Sequence, residues 1–320
     1  VPVGTGDLVR RIIERHRRGP GMAFDVVSNP EFLREGSAIQ DALSPDRIVI
    51  GAPSHDSTMR LVELYHTFEC PIECPMIITD VHSAEMIKYA SNAFLAMRVS
   101  FVNAIANICE TSGADISDVV RGMGYDSRIG MKYMEPGLGF GGSCLPKDIE
   151  SLLHTSRALG YDFRLLAEVI EVNKRQVEHF MRRLTEALDG LQGKVVGVLG
   201  LAFKPDTDDI REGKSLEVLR YLLNSGARVK AYDPAAMENV GRLFPQVEYC
   251  QSSYEAAEGA DALVIVTEWG EFRQLNLQKV KDGMRRPLIF DGRNIYDPKL
   301  MAKLGFEYHL IGRGAVISKG

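Results

Sequence analysis

Lys194–Gly200, K-V-V-G-V-L-G, running straight into L-A-F-K-P-D-T-D-D-I-R-E at 201–212, is the stretch that decides the fold. It is a short β-branched apolar run that ends at a glycine, gives way to a polar loop and then enters a helical pattern at 213–225. Working outward, R-V-K-A-Y (228–232), A-L-V-I-V-T (262–267) and L-I-F-D (288–291) repeat the strand pattern, and a further helix is expected at 234–244. Strands of this kind alternating with helices predict a parallel sheet covered on both faces, here a complete doubly wound unit. The turn G-V-L-G-L-A-F-K lacks the G-x-G-x-x-G spacing, so its glycines fit tight strand-to-helix packing as well as a nucleotide turn. Lys204, Asp206, Asp208, Asp209 and Arg211 crowd the carboxyl end of that strand, where open α/β sheets bind their ligands, and this favours a nucleotide-type ligand.

The front of the chain shows the same alternation less completely. A helix is expected near 6–18, strands at 23–28 (A-F-D-V-V-S), 47–51 and 75–79, and a helix near 55–68. Three strands make a poor sheet alone, which suggests the second half of a doubly wound domain. Val1 is not a methionine, and V-P-V-G-T-G reads as a strand end turning into a helix, so an upstream part is expected.

Between these regions, 81–112 contains no Gly or Pro and places Ile87, Ala90, Phe94, Met97, Phe101, Ala104 and Ile108 at three- and four-residue steps. This predicts one helix about 45 Å long at ~1.5 Å per residue, closed by Gly113, suited to joining two domains or packing in a dimer. Helices near 115–123, 147–159 and 163–189 surround a glycine-rich loop. The expected class is therefore α/β, with a partial N-terminal Rossmann-like domain (1–80), a long central helix with a helical region (81–190) and a complete C-terminal Rossmann-like domain (191–320).

Composition narrows the function classes. The chain has 320 residues, 45% hydrophobic and 25% charged, with a net charge of −5 and no block of five like charges. Nucleic acid and anionic membranes are not expected partners. The densest basic stretch, Arg10, Arg11, Arg15, Arg17 and Arg18, is spaced as a solvated helix face. No uninterrupted apolar run approaches the roughly 18 residues of a membrane span, and a cytoplasmic location is expected. The five cysteines (Cys70, Cys74, Cys109, Cys144, Cys250) are scattered, odd in number and without metal-ligand spacing, so neither a disulfide framework nor a metal site is expected.

Cys144 lies in G-F-G-G-S-C-L-P-K-D (139–148). Thiolates are favoured near positive charge or a helix N-terminus, and Pro146 suits the first turn of a helix starting just after Cys144. Gly139, Gly141 and Gly142 would let the backbone approach a substrate closely, and Asp148 could serve as a base or water-orienting group. Lys88 and Asn92, at i and i+4, share a helix face and could stabilise an alkoxide, although such a pair is also an ordinary polar helix surface. Glu31 and Glu35 in N-P-E-F-L-R-E-G (29–36) have the spacing of a capped helix start.

Seven ordered segments bring these residues together: V-P-V-G-T, N-P-E-F-L-R-E-G, E-M-I-K-Y-A-S-N, D-S-R-I-G, G-F-G-G-S-C-L-P-K-D, A-F-K-P-D-T-D-D-I-R-E and D-G-R-N. In order and separation the chain resembles the UDP-glucose/GDP-mannose dehydrogenase family over nearly its whole length. The resemblance implies NAD as cofactor and a four-electron oxidation at a sugar C6, through a thiohemiacetal and a thioester on Cys144. It implies that Lys88 stabilises oxyanions, that Asn92 and Asp148 handle water, and that Glu31 is an acid/base. UDP-glucose is the implied substrate, with GDP-mannose or UDP-N-acetylmannosamine as alternatives.

Substrate contacts implied in the same way are Phe32, Leu33, Glu35, Lys88, Asn92, Tyr133, Phe140, Gly141, Phe203, Lys204 and Arg293. Arg128 is implied to reach the substrate of a neighbouring subunit, hence a homodimer or higher oligomer. Glu35, Cys144, Lys147 and Arg211 are implied on the cofactor side. The family's G-x-G-x-x-G and its acidic ribose partner are not found in the chain, and neither is the Ser-Thr pair that usually precedes V-P-V-G. This leaves open a non-catalytic nucleotide-sugar-binding or dimerisation fragment.

Overall fold

A computed structural model of the chain describes residues 1–17, 23–66 and 74–314. Along the chain run α1 (Thr5–His16), α2 (Ala38–Leu43), β1 (Ile48–Gly51), α3 (His55–His66), β2 (Met76–Thr79), α4 (Val81–Ser112), α5 (Ile116–Gly124), α6 (Leu145–Ala158) and α7 (Arg164–Ala187). They are followed by β3 (Val195–Leu199), α8 (Lys214–Asn224), β4 (Arg228–Tyr232), α9 (Met237–Gly241), β5 (Glu248–Tyr249), α10 (Ser253–Ala257), β6 (Ala262–Ile265), α11 (Gly270–Arg273), α12 (Leu277–Gly283), β7 (Leu288–Asp291), α13 (Pro298–Lys303) and β8 (Glu307–Leu310). Two compact units result, Val1–Phe94 with Asp148–Phe163, and Leu95–Lys147 with Arg164–Gly320. Helices α4 and α6 each run from one unit into the other.

In the first unit β1 and β2 pair in parallel, Ile48 opposite Met76 through Gly51 opposite Thr79. The strand expected at 23–28 does not form. Ser28 instead makes a single antiparallel bridge, exchanging both backbone hydrogen bonds with Gly51 at 2.8 Å. The next residue spends its side chain on the sheet, Asn29 Nδ2 donating to Val49 O at 2.8 Å. Pro30 then has no N–H to continue a ladder. The segment 23–28, A-F-D-V-V-S, thus pairs with no strand among the described residues beyond this single bridge. Glu31 and Glu35 do not start a helix either, since helical backbone begins at Ala38.

The second unit is built on a six-stranded parallel sheet of order β5-β4-β3-β6-β7-β8. This is the doubly wound arrangement read from 194–291, extended by β5 and β8 at the two edges. Its strands β3, β6 and β7 are buried almost throughout, as a parallel sheet covered on both faces requires. Phe180, Phe290, Phe306 and Tyr308 are fully buried, each stabilising by about 1.5–3 kcal/mol relative to exposure. The helix expected at 234–244 shrinks to α9, because the Asp233 carboxylate takes the N–H groups of Ala235 and Ala236 in a turn.

The long helix spans the expected residues, with Gly113 at φ +79° after its end. Its buried face, however, is not the expected stripe. Ala84, Glu85, Tyr89, Asn92, Ala96, Ser100, Asn103 and Ala106 are buried, whereas Phe94, Phe101 and Ile108 are 54%, 49% and 59% exposed. By length and a mean hydropathy of 1.3 in its most apolar window, α4 is also long and apolar enough to cross a bilayer. Its inward polar groups are matched to protein instead, Asn92 to Asp148 and Asn103 to the backbone of Gly137.

Candidate active site

In the first unit, chemistry collects along the start of α4. Glu85, Lys88 and Asn92 follow at three- and four-residue steps, so their side chains leave neighbouring positions on the helix. Glu85 is buried, and its two carboxylate oxygens accept the N–H groups of Gly4 (2.7 Å) and Gly6 (2.8 Å) at the start of α1. The sequence reading passed over it. An acid inside an otherwise apolar turn of a long helix was the available signal.

Lys88 Nζ lies 3.4 Å from Glu31 Oε1. The other Glu31 oxygen accepts the Leu33 N–H at 2.6 Å, closing a turn. Asn29 ties the start of this loop to β1 and also accepts from Tyr65 Oη at 2.8 Å. At its far end Arg34 pairs with Asp41 and holds that carboxyl well below the usual range. Phe32 has two cations over its ring, the Arg47 guanidinium 3.7 Å and Lys88 Nζ 5.2 Å from its centroid. Asn92 Nδ2 donates to Asp148 Oδ2 at 2.6 Å, and both residues are buried. Glu31, Phe32 and Lys88 therefore form one set and Asn92 with Asp148 a second, each with one member on α4, with Leu33 exposed at the edge of the first and Glu35 half-buried beyond it.

In the second unit the glycine-rich loop is shaped by protein contacts. Asn173 receives the Phe140 N–H (2.8 Å) and donates to the Phe140 carbonyl (3.1 Å). Asn103 accepts from Gly137 N at 2.8 Å, and Gln176 donates to Gly137 O at 3.1 Å. These buried amides on α4 and α7 also escaped the sequence reading; Asn173 and Gln176 stand three residues apart on a long helix.

The absent side chains of these glycines would meet the protein itself, so their lack of a Cβ is required by packing. A Cβ at Gly139 (φ +109°) would stand 2.4 Å from Asn173 Oδ1, at Gly141 2.1 Å from the Glu212 carbonyl oxygen, and at Gly142 2.6 Å from the Phe203 ring. Gly142 N–H also donates to Arg211 O at 3.0 Å. The loop thereby docks on 203–212, where Asp206 (φ 62°) and Glu212 (φ 51°) hold left-handed backbone.

Cys144 immediately precedes α6 and is exposed, with Ser143 Oγ 3.6 Å from its sulfur. Pro146 falls within the first helical turn, where a missing N–H costs no intrahelical bond. Among the described cysteines, Cys109 and Cys250 are buried, and desolvation raises their thiol pKa values, that of Cys250 to about 11. Cys74 is also raised by burial. Cys70 lies outside the described residues.

Phe203 and Arg293 both reach the glycine loop. The Arg293 guanidinium would be 3.2 Å from a Cβ at Gly137, and its Nε is held by Val266 O (2.7 Å) and Glu268 (3.2 Å). Lys204 Nζ sits 5.4 Å from the Phe203 ring centroid. Arg211 forks onto Asp209, and Lys147 is exposed. Tyr133 adopts φ 61° and is half-buried. Arg128, 87% exposed, pairs with Asp126, and the carbonyls of the following Ile129 and Gly130 accept from Arg98.

A cofactor phosphate does not fit the helix start at Gly4–Gly6, because the Glu85 carboxylate already occupies those N–H groups. Lys147 and Arg211 fit a diphosphate by charge.

A six-stranded doubly wound parallel sheet is an architecture that binds nucleotides at the carboxyl ends of its strands. The comparisons with known proteins agree. Residues 1–69 match the NAD binding domain of the UDP-glucose/GDP-mannose dehydrogenase family, 82–175 its central domain and 197–298 its UDP binding domain. The UDP-glucose 6-dehydrogenase TuaD of Bacillus subtilis (strain 168) is 48% identical over 317 residues, covering 99% of this chain and 68% of the relative. A UDP-glucose dehydrogenase structure from Pyrobaculum islandicum superposes with a TM-score of 0.89 at 37% identity, covering 98% of this chain and 69% of that one. A UDP-D-ManNAc dehydrogenase from Pyrococcus horikoshii gives 0.83 at 29%, covering 98% and 71%. The chain belongs to the UDP-glucose/GDP-mannose dehydrogenase family.

Proposed function

We propose that this protein is an NAD-dependent oxidoreductase that converts UDP-glucose to UDP-glucuronate by removing four electrons at C6. The carrying observation is the pairing of an exposed Cys144 on a protein-buttressed loop with 48% identity to a UDP-glucose 6-dehydrogenase over 99% of the chain. The higher identity to a UDP-glucose dehydrogenase than to a UDP-D-ManNAc dehydrogenase, 37% against 29%, supports UDP-glucose over the N-acetylated sugar.

NAD, when bound, supplies the acceptor for the two hydrides that leave C6; Glu35, Lys147 and Arg211 are the residues we assign to its side. In the first oxidation the C6 hydroxyl gives up its proton while Lys88 carries positive charge toward the developing oxyanion. Glu31, paired with Lys88, relays protons at that step. The Cys144 thiolate then adds to the C6 aldehyde, forming a C–S bond and a thiohemiacetal that keeps the aldehyde from escaping. Loss of the second hydride leaves a thioester. Water oriented by Asn92 and Asp148 cleaves the C–S bond, releasing the carboxylate and restoring the thiol. The hydrogen bond between Asn92 and Asp148 supports a joint role.

Phe32, Leu33, Tyr133, Phe140, Gly141, Phe203, Lys204 and Arg293 are proposed to hold the nucleotide sugar. The placement of Phe203 and Arg293 against the glycine loop supports this. A homodimer is proposed to form on the outward face of α4, where an apolar groove of about 460 Å³ is lined by Met97, Phe101, Ala104, Met123, Ile129 and Leu165, among others. Arg128, next to groove-lining Ile129, is then the residue that serves the partner's substrate. Domain divisions near 80 and 190, and work in the cytoplasm, complete the reading.

The test is NADH formation by the protein expressed from its full coding sequence, offered UDP-glucose, GDP-mannose or UDP-N-acetylmannosamine. Two NADH per UDP-glucose, with the others at least about tenfold slower in kcat/KM, is the expected result. No NADH from UDP-glucose would sink the proposal.

A further inference from the structure

We propose that Arg47 is a positioning residue that sets Lys88 and Glu31 through Phe32. This rests on the reading in which Lys88 serves the reaction. Arg47 immediately precedes β1 and ends the polar run S-P-D-R (44–47). Its guanidinium carbon is 3.7 Å from the Phe32 centroid, a stacking distance. Its Nη2 reaches Ser91 Oγ at 3.5 Å, and that hydroxyl spends its own proton on Ile87 O at 2.7 Å, leaving the oxygen to accept.

One side chain thus joins the loop that carries Glu31 to the helix residue standing between Lys88 and Asn92. The loop is tied at Asn29 and again at Arg34, while Phe32 between them rests on Arg47. The same ring has Lys88 Nζ 5.2 Å from its centroid, and Glu31, one residue away, holds that nitrogen at 3.4 Å.

Two cations on one aromatic ring repel each other, so the arrangement needs compensation for both. Glu31 neutralises Lys88, and the Ser91 oxygen faces Arg47. Displacing the guanidinium would free Phe32 to turn, carrying Glu31 with it and releasing Lys88 from its present direction. A lysine at 47 would keep the cation but not the planar stack or the fork that reaches Ser91. A methionine would keep apolar bulk alone.

The experiment compares Arg47→Lys, Arg47→Met and Arg47→Ala in the protein expressed from its full coding sequence. It reads kcat and KM for UDP-glucose and, independently of turnover, the rate at which acetic anhydride modifies Lys88, followed by mass spectrometry. Arg47→Ala is expected to lower kcat by about two- to thirtyfold, the range a lost cation–π stack spans, with KM within about threefold. Lys88 should acetylate several-fold faster. Arg47→Lys should recover part of both values, and Arg47→Met neither.

The inference is overturned if Arg47→Ala leaves kcat and Lys88 labelling unchanged, or if Arg47→Met restores both. Should the alanine variant fail to fold, the contrast between the lysine and methionine variants decides. If the unaltered protein makes no NADH from UDP-glucose, the proposed function fails, while the labelling rates still decide whether Arg47 holds Lys88.

Discussion

The two parts of the molecule that carry the proposed chemistry are held by different kinds of force. The cysteine loop is held through its backbone: Asn103, Asn173 and Gln176 grip the peptide groups of Gly137 and Phe140, and three glycines press against Asn173, Glu212 and Phe203. The lysine set is held through side chains, Lys88 to Glu31, Phe32 to Arg47 and Asn92 to Asp148. A backbone grip is indifferent to the side chain's chemistry and intolerant of its size. A side-chain grip has the reverse sensitivity. For the packing of the loop around Cys144, therefore, bulk is the dangerous change, whereas around Lys88 it is loss of a charge or a donor.

The strongest challenge to this contrast is Cys144→Ser, which alters chemistry and almost no volume inside the size-sensitive loop. UDP-glucuronate production should fall by at least about a thousandfold, as for removal of a covalent nucleophile, with UDP-glucose affinity by calorimetry nearly unchanged. Retained production would remove the thioester from the mechanism.

Next in size, Gly141→Ala adds one carbon 2.1 Å from a backbone oxygen that no rotamer change can move. Thermal unfolding should report a loss of roughly 1–3 kcal/mol from overpacking, and kcat should fall about a hundredfold through displacement of the loop. A wild-type rate would show that the loop is softer than its contacts suggest.

Asn173→Ala removes both side-chain bonds to Phe140 and leaves its N–H and carbonyl without those buried partners. Denaturant titration should show about 2–6 kcal/mol lost, from ~1–3 per stranded group, but only about a tenfold loss of kcat, since Asn103 and Gln176 still hold Gly137.

The smallest effect on turnover is expected from Phe101→Glu on the outward face of α4. The carboxylate should shift sedimentation toward monomer, because burying an unpaired charge is costly. KM for UDP-glucose should rise less than about tenfold, with circular dichroism unchanged. A stable dimer would place the interface elsewhere.

How much was legible beforehand depended on whether a residue's partner was near in sequence. The C-terminal sheet could be read because each strand carries its own pattern and parallel strands joined by helices fall into few topologies. The length of α4 was legible from the absence of Gly and Pro and from the glycine after it. Its orientation was not, because Phe94, Phe101 and Ile108 make as good a stripe as the face that is buried, which carries Glu85, Asn92 and Asn103. Polar residues won the interior since each found a partner distant in the chain, at Gly4 and Gly6, at Asp148 and at Gly137. Segment 23–28 failed as a strand for the related reason that a strand requires a neighbour as well as a pattern.

By itself the sequence determined the α/β class, the family, and Cys144, Lys88, Asn92 and Asp148 as the residues to examine, because ordered motifs and local periodicity are written in the chain. Only the tertiary structure decided which face of α4 is buried, that the loop glycines answer to Glu212 and Phe203, that Arg47 stacks on Phe32 and that Glu85 holds the start of α1. These are contacts across tens of residues, and their energy comes from desolvation and hydrogen-bond pairing that no local pattern encodes.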